Sequence, residues 1–96
     1  MFVLSLTYIA PAAEVDRVRD AHMAWIGEQY AAGRFVASGP KVPRTGGLIL
    51  ARGATAQEIA EIVASDPFTR DGVAEYEVTE FRATTVADDV AGLRER

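Results

Sequence analysis

Phe2, Leu4, Leu6 and Tyr8 alternate with Val3, Ser5 and Thr7, the two-residue period of a strand. Beyond the turn residues of "APAAE" the period lengthens. Val15, Val18, Trp25, Ile26 and Tyr30 recur at three-and-four spacing, which predicts a helix from about Ala13 to Ala32. Pro11 suits its start and Gly33 its stop. Strand character returns in "RFVASGPKV", interrupted at Gly39-Pro40 because proline cannot donate to a sheet ladder. "LILA" predicts a third strand, and its unbroken apolar run calls for cover on both faces.

Thr55-Ala56-Gln57-Glu58 has the spacing of a capping box, so a second helix starts there and buries Ile59, Ile62 and Val63. "SDPFTRDG" makes a turn or a single loop of helix, and "VAEYEVTEF" is a fourth, alternating strand. The order strand, helix, strand, strand, helix, strand is the ferredoxin-like α+β pattern, with two helices on one face of a four-stranded antiparallel sheet. The other face is left bare. Burying it sheet-to-sheet against a second copy, in the manner of a dimeric α/β-barrel, is the simplest remedy, so a homodimer is expected. Residues 1–82 are expected to form one domain and residues 83–96 a C-terminal extension, in which Val86, Val90 and Leu93 can share a face of a short helix from Thr85.

Composition narrows the chemistry. Ninety-six residues, 49% of them hydrophobic, suffice for one packed domain. Ten basic and fourteen acidic residues leave a net charge of −4 with no basic cluster, which argues against nucleic acid or an anionic membrane as partner. The N-terminal segment has neither the cationic start of a leader nor the length of a span, so the cytoplasm is the default location. With no cysteine and a single histidine, thiolate chemistry is excluded and a one-chain zinc site is a poor expectation. No phosphate loop, dinucleotide fingerprint or serine nucleophile elbow is present, and no metal or cofactor is expected.

The one histidine stands in "RDAHMAW". On a helical wheel, Val15, Val18, His22, Trp25, Ile26 and Gln29 share a face with His22 near its middle. Its ring therefore points at the sheet, where it needs a partner. A strand hydroxyl such as Ser5 would make it a structural residue; an opening beside it would make it a site. Arg19, one turn earlier, can line the same opening and suits a carboxylate or phenolate, or it can pair with Glu14, Asp16 or Asp20 in solvent. Asp66 before Pro67-Phe68 either caps a helical turn or orients and charges an imidazole. Ser38-Gly39-Pro40 either turns a strand or lets backbone approach a ligand.

Three stretches in this order, "RDAH", "AAGRFVASGP" and "SDPFTRDGVAEYEV", resemble the YCII-like family of small ferredoxin-like proteins that typically dimerise. The resemblance spans Phe2 to Phe81 and implies that His22 and Asp66 form an active-site pair. It implies too that Ser38, Gly39 and Pro40 line the pocket and that Arg19 holds a position often occupied by arginine. The family's best-defined activity is cofactor-free removal of chloride from a chlorinated hydroxyhydroquinone. The expected function is therefore His22/Asp66 acid–base chemistry on a cyclic or aromatic small molecule: a lyase, dehydrochlorinase or isomerase. Histidine's ordinary pKa of about 6.5 suits it to take and return a proton. Arg19 would hold the anion, and Trp25, Tyr8 and Phe68 would supply a flat apolar wall. The alternative is a module that binds a small acid without turning it over. A dimeric-barrel monooxygenase fits the fold but has no signal in these residues.

Overall fold

The computed structural model describes residues 1–96. Its elements are β1 (Phe2–Tyr8), α1 (Ala12–Ala31), β2 (Phe35–Pro40), β3 (Gly46–Ala51), α2 (Ala56–Ser65), a one-turn α3 (Pro67–Arg70) and β4 (Ala74–Glu80). The sheet runs β2-β3-β1-β4 with every pairing antiparallel. That is the ferredoxin-like order, with the helices against one face.

Each helix ends where its sequence directs. Thr55 and Glu58 close a reciprocal capping box at the start of α2. After α1 the chain turns at Gly33, whose φ of 76° is a left-handed conformation that glycine adopts without steric cost. The inward face of α1 carries Val15, Val18, His22, Trp25 and Gln29, whereas Tyr30 lies 40% exposed. Tyr30 instead reaches sideways, and its hydroxyl meets that of Ser38 at 2.8 Å.

Register decides the faces of the sheet. Phe2, Leu4 and Leu6 pair with Ala51, Ile49 and Gly47 and point towards the helices; Val3, Ser5 and Thr7 pair with Leu50, Leu48 and Gly46 and point away. Two apolar clusters result. Phe2, Leu4, Trp25, Phe35, Ile49, Ala51, Ile59 and Ile62 form one, and Leu6, Val15, Val18, Phe68, Val73 and Ala74 the other. Removing a side chain the size of Leu4 or Ile59 from water contributes about 1.5–3 kcal/mol, and both are fully buried.

Three expectations are corrected. The apolar run in β3 is not covered on both faces within the chain: Ile49 points inward, but Leu48 is 43% exposed on the far side. β3 also begins earlier than "LILA", at Gly46, where a Cβ would stand 1.8 Å from the Leu6 carbonyl oxygen, so only glycine fits against β1. The tail forms no α-helix from Thr85 but a 3-10 stretch over Asp88–Leu93 that buries no residue. Polar contacts hold it instead. The Glu95 carboxylate accepts hydrogen bonds from the Ala83 N–H at 2.9 Å and from the Met1 ammonium at 2.8 Å, and these, the Ala83 bond foremost, lower the Glu95 pKa. No helix is long and apolar enough to cross a membrane.

Candidate functional site

The polar residues of interest lie between the two apolar clusters. α1 delivers Arg19 and His22 one turn apart. Asp66 stands where α2 stops and α3 begins, its extended backbone (φ −61°, ψ 128°) imposed by Pro67, which disfavours helical geometry in the residue before it. Its carboxylate caps α3 by accepting the Phe68 N–H at 2.9 Å. That cap also aims the carboxylate at α1.

Nδ1 of His22 lies 2.8 Å from Oδ1 and 3.0 Å from Oδ2 of Asp66. The Tyr76 hydroxyl on β4 donates to Oδ2 at 2.5 Å. Asp66 is wholly buried and His22 is 7% exposed. A buried carboxylate needs donors on its lone pairs, and here it has three: an imidazole N–H, a backbone N–H and a phenol. The acceptor-only carboxylate assigns the imidazole proton to Nδ1, which leaves the lone pair of the neutral ring on Nε2. Nε2 makes no hydrogen bond within the chain, while the ring lines a cleft. Burial raises the Tyr76 pKa far above its usual range, and the bond to the Asp66 carboxylate adds to this, so the phenol stays protonated and donating.

Phe68 stacks on the imidazole with ring centres 4.0 Å apart and planes 12° from parallel. This contact and the Asp66 bond together fix the ring's tilt. The cleft beside it measures about 390 Å³ and lies between α1 and the β2–β3 half of the sheet. His22, Arg19, Ser38, Gly39, Pro40 and Phe68 all line it, whereas Asp66 sits behind His22, out of the cleft. The structure thus brings His22, Asp66, Arg19, Ser38, Gly39, Pro40 and Phe68 to one place. Arg19 forms no salt bridge with Glu14, Asp16 or Asp20; Arg17 is the residue that pairs with Glu14.

Two other expectations fail. Ser5 points from the opposite face of β1 and does not serve His22. Trp25 supplies no wall of the cleft: it is 5% exposed in the core, its indole N–H donating to Ser65 Oγ at 2.9 Å, while Tyr8 and Phe68 do line the opening. Sequence reasoning missed Arg44, Met23 and Tyr76. Arg44 comes from the connection before β3, too short a segment to carry a signal, and joins Arg19 in lining the cleft without an ion pair. Met23 adjoins His22, and its partial exposure hides its place in the cleft. Tyr76 was within reach of the alternation in β4, which places it on the same side as Ala74 and opposite Leu6.

Residues 1–82 match the YCII-related domain family. Among solved structures, the chain is similar to 5-chloro-2-hydroxyhydroquinone dehydrochlorinase from Burkholderia phenoliruptrix, determined in complex with 2,5-dihydroxybenzoquinone. The two are 20% identical and superpose with a TM-score of 0.70 over 85% of this chain and 94% of that one. No curated protein matches.

Proposed function

The chain belongs to the YCII-related domain family, and from that premise we propose that it is a cofactor-free enzyme. It moves protons on a hydroxylated, cyclic or aromatic small molecule through His22 and Asp66. The observation that carries this reading is the buried carboxylate on Nδ1 of an imidazole whose Nε2 is left to a cleft. The likeness to a dehydrochlorinase directs it to chlorinated polyhydroxy aromatics.

In such a substrate, Nε2 takes the proton of a ring hydroxyl and returns it to the chlorinated carbon. Removal of a second hydroxyl proton then expels chloride with the electron pair of the C–Cl bond, and a quinone remains. One histidine serves both proton transfers because an imidazole nitrogen that has taken a proton can give it back. Asp66 stabilises the imidazolium formed in between. Arg19 and Arg44 would hold the enolate or phenolate oxygens, each presenting a fork of donors. Phe68 and Tyr8 offer aromatic surface to a flat ring.

Incubating the protein with a panel of chlorinated and hydroxylated aromatics and following chloride release tests the proposal. Turnover is expected for ring-hydroxylated chlorides, with KM raised about tenfold or more by Arg19→Ala, the order of effect for losing a charged hydrogen bond. Saturable binding with no chloride released from any compound would identify a ligand-binding module instead.

We propose further that a second copy covers the exposed sheet face. Val3, Leu48 and Leu50 stand together there across β1 and β3, an apolar strip that water would otherwise meet. Light scattering at micromolar concentration is expected to give twice the 10.3 kDa mass of one chain. A monomeric mass would exclude the association.

A further inference from the structure

We infer that Tyr76 is a positioning residue, acting on the reacting imidazole through Asp66. The inference rests on the Asp66–His22 reading above. It begins from a division of labour on one carboxylate. Oδ1 receives the Phe68 N–H and lies nearest His22 Nδ1, while Oδ2 receives the Tyr76 hydroxyl and lies slightly further from the same nitrogen. Two of the three donors come from α3 and α1. The third comes from the sheet, so Tyr76 is the only one of the three that ties the carboxylate to the strand layer.

This bond does two things. It stops the carboxylate from rotating about its Cβ–Cγ bond, which keeps Oδ1 towards Nδ1. It also draws off part of the negative charge that would otherwise act on the imidazole. Tyr76 therefore moderates how strongly Asp66 favours the protonated ring. The other titratable or charged groups facing the site are Tyr8 on β1, and Arg19 on α1 with Arg44 before β3. All three line the cleft, and none of them hydrogen-bonds to Asp66.

Tyr76→Phe removes one oxygen and keeps the ring, which packs between the two apolar clusters and near Trp25. Because His22 is the only histidine, its ring protons report the titration without assignment. In Tyr76→Phe the midpoint of that titration is expected to rise by roughly half a unit or more, since a carboxylate short of one donor attracts the imidazolium more strongly. In Asp66→Asn, adding Tyr76→Phe is expected to leave the midpoint where Asp66→Asn alone puts it, because the charge that Tyr76 moderates is gone.

An unchanged or lowered midpoint in folded Tyr76→Phe would overturn the inference, as would an equal shift in the Asp66→Asn background. If Tyr76→Phe does not fold, the wild-type protein decides. A hydroxyl proton resonance that exchanges slowly and moves downfield is expected from the Tyr76 bond, and its absence would overturn the inference. None of these measurements needs a substrate, so a failure here is distinct from a failure of turnover.

Discussion

Replacing His22 with glutamine is expected to lower kcat for chloride release by about 10²–10⁴-fold, the range associated with a positioned general acid–base. Glutamine has a similar reach and can still bond to Asp66, so α1 and the packing around Phe68 survive. What it cannot do is take up a proton near neutral pH and give it back. KM is expected to stay within roughly threefold of wild type, because Arg19, Arg44 and the aromatic walls are untouched. Steady-state kinetics beside a thermal melt would separate the two effects. Wild-type turnover that persists in His22→Gln would remove the mechanism, and a KM rise with unchanged kcat would recast His22 as a residue that only binds.

Asp66→Ala is expected to be among the most destabilising single substitutions in the chain, at about 3–5 kcal/mol. The substitution strands three donors at once: the His22 Nδ1–H, the Phe68 N–H and the Tyr76 hydroxyl. It also removes the cap of α3. For a domain of this size each kcal/mol corresponds to roughly 4–8 °C, so the melting temperature should fall by more than about 12 °C. Asp66→Asn retains a capping oxygen and the side-chain volume and should lose roughly half as much. An alanine variant that melts within about 5 °C of wild type would show that the carboxylate does not organise this part of the fold.

These two residues also mark what could be read without coordinates. Element order, the Thr55 capping box and the inward face of α1 follow from local periodicity and short-range hydrogen bonding, and all three are legible. His22 on that face was legible too; its partner was not. Asp66 lies 44 positions away, and its Pro67 context reads equally well as a simple cap. In the fold it is both. Only the family resemblance connected the two in advance. Tyr76 stayed hidden because alternation reports a face and not the neighbour across the layer, and Trp25 was misplaced because aromatic character does not tell core from cleft. The tail misled through three apolar residues at helical spacing, whereas its actual anchor is one carboxylate, Glu95, the penultimate residue.

The double duty of Asp66 bears on how such proteins diverge. Asparagine caps helices about as well as aspartate, so a duplicated gene that exchanged Asp66 for it would keep the cap of α3 beside the stacked Phe68. It would lose the negative charge that sustains an imidazolium. On the proposed reading, exchanging Asp66 for asparagine would leave, at some loss of stability, a chain that holds a ligand without moving a proton.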